Sequence, residues 1–215
     1  MPGRFITFEG GEGAGKSTQI RRLAATLADA GHAVTTTREP GGTPVAEAVR
    51  RFILSGRAKP LGPEAEAILF AAARADHVDR LIRPALEAGA FVLSDRFTDS
   101  TRVYQGAAGA VDRDMLDALE RVAAGPTRPD LTIIIDVPAA VGLARVAARS
   151  GALGEGLDRF ESDDLAPRGA RRRPPPPPGG GAPGRSVMAA GPRHADAVAA
   201  DIWQAVAARL LDEAA

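Results

Sequence analysis

The chain is 215 residues long, enough for one α/β domain with a sizeable buried core. Hydrophobic residues make up 45% and charged residues 25%, the balance of a globular protein. Lys plus Arg (27) equals Asp plus Glu (27), which argues against nucleic acid or a membrane as partner, and the lack of cysteine excludes disulfides and thiolate metal sites and fits a reducing cytoplasm.

Met1-Pro2-Gly3-Arg4 leads directly into an apolar run, so no secretory signal is expected ahead of it, and no run approaches the ~20 residues of a membrane span. Phe5-Ile6-Thr7-Phe8 reads as a buried strand that ends in glycines. A helix is predicted from Gly15, with Ile20, Leu23, Ala24 and Leu27 on one face and Gly31 as its stop. Residues 33–37 read as the second strand, and the loop from Arg38 through Gly41 and Gly42 leads to a helix over 45–54. Pro63 suits a first helical position, followed by Glu64 and Glu66 near the positive helix end. That helix should run past Arg74, with a kink or restart at Pro84.

Residues 91–93 form a third predicted strand, ending at Ser94-Asp95-Arg96. Helix is predicted over 113–124, a buried strand over 131–135, and helix again over 138–149. Val198, Ile202, Val206 and Leu210 recur every four residues and predict an amphipathic C-terminal helix. Strands alternating with helices predict an α/β fold with a parallel sheet and helices on both faces. Residues 167–194 break the pattern: three arginines, five prolines (Pro174 to Pro178) and three glycines (Gly179 to Gly181) follow one another, a composition that favours neither helix nor strand.

Gly10-Gly11-Glu12-Gly13-Ala14-Gly15-Lys16-Ser17 matches G-x-x-x-x-G-K-[ST] between a predicted strand and a predicted helix. The glycines let backbone N–H groups turn inward on phosphates, and the helix N-terminus adds positive partial charge. Lys16 would reach the β/γ oxygens of ATP, and the Ser17 hydroxyl would be a Mg2+ ligand. Asp95 lies at a strand C-terminus, where open α/β sheets place ligands. It could hold Mg2+ directly or through water, or orient an acceptor phosphate, and Arg96 could clamp that phosphate. A salt bridge closing a loop is the simpler reading of the pair taken alone. Phe70 and Arg74 share a helix face, which by spacing alone is a core Phe beside a surface Arg. His32, His77 and His194 have no metal-ligand spacing.

Five motifs in order, Phe8-Glu9-Gly10 through Thr18, Arg38-Glu39-Pro40-Gly41-Gly42-Thr43, Asp95-Arg96-Phe97-Thr98-Asp99-Ser100, Tyr104-Gln105-Gly106 and Leu157-Asp158-Arg159-Phe160-Glu161, resemble bacterial thymidylate kinase. The resemblance spans roughly residues 4–165 and, more faintly, 195–211. It implies a P-loop nucleoside monophosphate kinase fold with a five-stranded parallel sheet, a single domain over 1–215 and a lid over about 145–161. It also implies ATP and Mg2+ as cofactors, dTMP as substrate, a cytoplasmic homodimer, and dTDP as product on the route to dTTP. By resemblance Phe70 and Arg74 meet the pyrimidine, Tyr104 and Gln105 wall the base pocket, and Arg38 lies near the acceptor phosphate. Residues Gly10 to Thr18 form the nucleotide-binding segment.

In one subgroup of the family the P-loop supplies an arginine; this one carries Glu12, so positive charge on the transferring group must come from the lid. Of Arg145 and Arg149, one helical turn apart, Arg149 is the expected catalytic arginine. On a plain reading, the two arginines are a solvated face. The rival functions are a kinase of another nucleoside monophosphate and a nucleotide-binding relative that no longer catalyses.

The family pattern expects an Arg-rich helix, a strand and an adenine-covering loop after Leu165, where this sequence has the proline run. Pro, Gly, Arg and Ala have codons made of G and C alone, so a GC-rich gene read out of frame between two compensating indels gives this composition. A proline-rich insert acting as a linker is the alternative. If the segment is genuine, the fold loses a helix and residues 186–190 become a weak fifth strand. Resequencing the codons for residues 166–194 should reveal the paired indels; a clean in-frame read against close relatives overturns the frameshift.

Overall fold

The structure, a computed structural model, describes residues 3–107, 111–153, 186–190 and 193–211. Its sheet contains β1 (Arg4–Glu9), β2 (Val34–Arg38), β3 (Phe91–Asp95), β4 (Leu131–Asp136) and β5 (Ser186–Ala190), in the order β2-β3-β1-β4-β5 with every pair parallel. The described helices are α1 (Lys16–Asp29), α2 (Pro44–Leu54), α3 (Pro63–His77), α4 (Arg83–Glu87), α5 (Thr98–Thr101), α6 (Arg113–Ala124), α7 (Ala139–Leu153) and α8 (Ala195–Val206).

The strand alternation decides which helix packs where. Ile6 and Phe8 point to one face of β1 and join Leu93, Ile133 and Ile135; Ile20, Leu23 and Leu27 of α1 and Val198, Ile202 and Val206 of α8 cover them. Phe5 points to the other face and packs with Val78, Ile82, Val92, Phe97 and Ala124. The three inner strands are buried almost throughout, whereas the Thr-rich β2 is half-exposed, as an edge strand can be.

Local chemistry sets the boundaries. Thr43 caps α2 by accepting from the Ala46 N–H at 3.2 Å, with Pro44 at the first helical position; Asp112 caps α6 through the Asp114 and Met115 N–H groups. Gly31, at φ 87°, closes α1: its N–H bonds the Ala28 carbonyl and the His32 N–H bonds the Leu27 carbonyl, a pairing that needs the left-handed conformation glycine adopts freely. At Pro84 the chain restarts rather than breaks. A π-helical turn, Val78–Ile82, links α3 to α4, widening the helix where the proline ring removes a donor and crowds the preceding turn.

Within the stretch 167–194, the fifth strand expected at residues 186–190 is present: Ser186–Ala190 pairs in parallel with β4 from Thr132↔Ser186 to Asp136↔Ala190. These five residues contain no proline or glycine, so every backbone donor is available to the ladder. The rest of the proline run, and residues 154–161 of the expected lid, lie outside the described residues.

α8 follows the anomalous stretch yet packs into the main core. Gln19 donates to the Ala195 carbonyl at 2.9 Å, and Arg22 pairs with Asp196. Ile202 is 1% exposed. Ile202→Ala should therefore lower unfolding free energy by about 2–5 kcal/mol in urea titrations. An unchanged midpoint would mean that α8 does not dock.

Candidate active site

β1 and β3 are neighbours, with Phe8 registered against Asp95. Their C-terminal ends therefore deliver the P-loop and the Asp95-Arg96 segment to the same edge of the sheet. Gly13, at φ 67°, is packed so closely on the start of α7 that a Cβ would lie 2.1 Å from the Gly142 carbonyl oxygen. Thr18 and Gln19 donate their backbone N–H groups to the Gly15 carbonyl, starting α1 directly from the loop.

Lys16 is buried and donates to the Gly10 and Gly11 carbonyls, both at 3.2 Å, with its Nζ 3.8 Å from Asp95 Oδ1. Burial pulls its ammonium below the ordinary value and the Arg96 guanidinium adds to that, while Asp95, Glu12 and Glu9 act the other way. The Ser17 hydroxyl donates to Asp95 Oδ2 at 3.0 Å. These two oxygens fit Mg2+, a hard cation that takes one or two protein oxygens and completes its octahedron with phosphate and water. Among the described residues no group of three or more His, Asp or Glu could hold a metal.

Arg96 is the one non-glycine residue with positive φ, 75°, among the described residues. Such a conformation costs of order 1–3 kcal/mol and persists only where the surroundings enforce it. The Arg96 N–H bonds the Phe8 carbonyl at 2.9 Å, and Ser94 Oγ donates to the Arg96 carbonyl at 2.8 Å. The guanidinium lies 5.0 Å from the Tyr104 ring centroid, pairs with Glu12 and donates to Ser100 Oγ at 3.1 Å.

A cleft of ≈ 570 Å³, counted out to its open mouth, is lined by Glu12, Arg96, Phe70, Arg74, Tyr104 and Gln105 among others. The structure thus gathers five of the six expected substrate residues. Arg38 is placed elsewhere: it is not among the lining side chains and pairs with Glu47 at 3.1 Å. Arg74 is 5% exposed and already engaged, donating Nε to Glu39 at 2.7 Å and Nη2 to the Phe97 carbonyl and Thr101. Burial alone would raise the Glu39 carboxyl, but Arg74 and His77 outweigh it and hold Glu39 below the usual carboxylate range. His77 is fully buried between Glu39 and Thr37, with ring nitrogens at 3.1 and 2.7 Å, which makes it a packing residue. Arg145 donates to the Gly13 carbonyl at 3.3 Å; the side chain of Arg149 lies outside the described residues.

Two participants escaped the sequence reading. Arg50 lines the cleft and donates to the Pro40 carbonyl at 2.9 Å; its spacing from Leu54, another lining residue, was a usable signal. Glu9 is the buried last residue of β1, and a carboxylate there signals a partner. Burial pushes its carboxyl up to about 7, with Asp99 adding to the rise and Arg96, Ser100 and the Phe97 N–H opposing it.

The sequence profile of the family described as Thymidylate kinase matches residues 8–165. The chain is 52% identical over 208 residues to a thymidylate kinase of Bradyrhizobium sp. (strain BTAi1 / ATCC BAA-1182), covering 97% of this chain and 91% of that protein. It is 53% identical to one of Rhodopseudomonas palustris (strain ATCC BAA-98 / CGA009), covering 100% and 93%. Its fold is similar to the crystal structure of thymidylate kinase from Ehrlichia chaffeensis, with TM-score 0.68 and 29% identity, covering 96% of this chain and all of that one.

The folded-state value of Glu9 lies above its unfolded value of 4.5, so the native state holds this proton more tightly. The resulting stability is full below pH 4.5 and is lost as pH rises through about 7, a change of about 3 kcal/mol. Urea unfolding of Glu9→Gln should lack that fall relative to the parent chain. Parallel stability–pH curves for the two would overturn the assignment.

Proposed function

We propose how the residues of this chain, which belongs to the thymidylate kinase family and phosphorylates dTMP to dTDP, divide the work of that reaction. The observation that carries the reading is that one cleft is lined both by Glu12 and Arg96, which adjoin the P-loop, and by Phe70, Arg74 and Tyr104. An acceptor whose base contacts the aromatic side chains would place its phosphate beside Arg96, next to the cradle for ATP.

In this arrangement the amides of Gly10 to Ser17, continued by Thr18, hold the polyphosphate of ATP, and Lys16 leaves its carbonyl partners for the β/γ oxygens. Ser17 and Asp95 would hold Mg2+, which when bound supplies charge neutralisation on phosphate oxygens. Arg96 and Arg50 clamp the acceptor phosphate and bring one of its oxygens in line with the γ-phosphorus. That oxygen forms the new bond to phosphorus as the bridge to ADP breaks. Arg149, one turn beyond Arg145 on the helix leading into the lid, adds positive charge to the transferring group. Phe70 and Tyr104 hold the base, with Arg74 and Gln105 as polar contacts, and Arg38 supports the loop through Glu47.

The same reading takes residues 1–215 as one kinase domain, with the lid at about 145–161, acting in the cytoplasm as a homodimer. Among the described residues no helix is long and apolar enough to cross a membrane. Ile68 on α3 and Val122 on α6, two helices packed together, expose apolar side chains at 50% and 83%. Covering them with a second copy would bury that surface. In sedimentation the chain should run at twice its own mass, and Ile68→Glu with Val122→Glu should shift it to the monomer. A parent chain that is already monomeric would overturn the dimer.

The reaction itself is tested by ADP release with ATP-Mg across dTMP, dUMP, dCMP, AMP, CMP and GMP. Turnover should be confined to dTMP, and Lys16→Ala should lower kcat by about 10²–10³-fold. Turnover with another monophosphate would change the acceptor assignment. Folded protein that binds nucleotide but turns over nothing would mark an impaired relative.

A further inference from the structure

Glu9 is the last residue of β1, immediately before the P-loop, and it is 3% exposed. Its two carboxylate oxygens take two donors from the segment on the far side of the site. Oε1 accepts the Phe97 N–H at 2.9 Å and Oε2 accepts the Ser100 hydroxyl at 2.6 Å. Ser100 Oγ in turn accepts Arg96 Nη1 at 3.1 Å. Since a hydroxyl has one proton, donating it to Glu9 turns the oxygen lone pairs toward the guanidinium. Arg96 is held on its other side by Glu12, and its backbone occupies a conformation that relaxes unless enforced. The Phe97 N–H bond to Glu9 is made by the residue directly after it.

We propose that Glu9 is a positioning residue for Arg96: through Phe97 and Ser100 it fixes the guanidinium that receives the acceptor phosphate relative to the P-loop. This rests on the reading of Arg96 given above. A glutamine in place of Glu9 keeps the volume and one acceptor but presents an N–H to Ser100, so the serine cannot donate in that direction and the Arg96 side chain loses its fixed partner. Glu9 contacts neither substrate by this arrangement, and its effect is confined to the acceptor side.

The test is calorimetric titration at pH 8 of dTMP alone, and separately of ATP, into the parent chain and into Glu9→Gln, Ser100→Ala, the double variant and Arg96→Ala. Glu9→Gln should weaken dTMP binding about tenfold while ATP binding changes by less than about twofold. The dTMP KM should rise and kcat fall together, without a lower melting temperature. In the Ser100→Ala background the same substitution should lose most of its effect, the sign of one shared path. An undiminished effect there, an equal loss for ATP, or no loss for dTMP overturns the proposal. Arg96→Ala separates the two levels: if it leaves dTMP binding intact, the reading of Arg96 fails, and if it weakens binding while Glu9→Gln does not, only the role of Glu9 fails. Should Glu9→Gln not fold, Ser100→Ala alone carries the test, since the same acceptor-selective loss is required of it.

Discussion

The parallel pairing of β1 with β3 is the constraint on which the rest of the site depends. Both strands run to the same edge of the sheet, and the register sets Phe8 beside Asp95. From there the two strands diverge, one into the glycine-rich loop and one into the segment carrying Arg96 and Ser100, and the Phe8 carbonyl and Glu9 carboxylate tie them together again. A register slip of one residue would reverse every side chain of one strand. It would place Phe5 with Ile6's partners and turn Glu9 away from Phe97. Burial of both sheet faces, by α1 and α8 on one side and by the α3–α4 and α6 segments on the other, makes that slip prohibitive.

On this frame the site concentrates what the rest of the chain avoids. Lys16, Glu9, Glu39 and Arg74 are all buried, and Arg96 sits in a backbone conformation that side chains rarely adopt. Buried charge and strained backbone both weaken the native state, and both are means of holding a group where water would let it wander. Glu9 carries the conflict in one side chain. Its ionised form is the better double acceptor and the less stable one in this environment. Compensation comes from pairing, and the nearly dry Glu39–Arg74 pair, joined by His77, has all the geometry that a buried ion pair requires.

Much of this was legible in the sequence, for reasons that differ by residue. The P-loop was readable because its motif is eight consecutive residues, Gly10 to Ser17, set between a strand and a helix. Strand and helix types followed from periodicity, and the start at Pro63 from proline's fit to a first helical position. Phe70, Arg74, Tyr104 and Gln105 were found only through resemblance, since the cleft they share is assembled from separate segments. Arg50 and Glu9 escaped because their roles exist only after folding: one reaches the cleft from α2, the other meets Phe97 across a strand pair. Arg38, also placed by resemblance, is the last residue of β2 and pairs with Glu47. The strand inside the anomalous stretch was legible at residues 186–190 because those five residues contain neither proline nor glycine.

The close approach of Gly13 to Gly142 reaches beyond the cradle itself. A Cβ on Gly142 would meet the Glu12 carbonyl oxygen at 2.4 Å, just as one on Gly13 would meet the Gly142 oxygen at 2.1 Å. The two backbones are therefore stacked without side chains between them, and α7 is seated directly on the loop that grips phosphate. Such a joint transmits displacement with no compliant layer to absorb it. On the proposed reading, in which that loop holds the phosphates of the donor, anything that orders the loop also fixes the first turn of α7, and the two become one mechanical event.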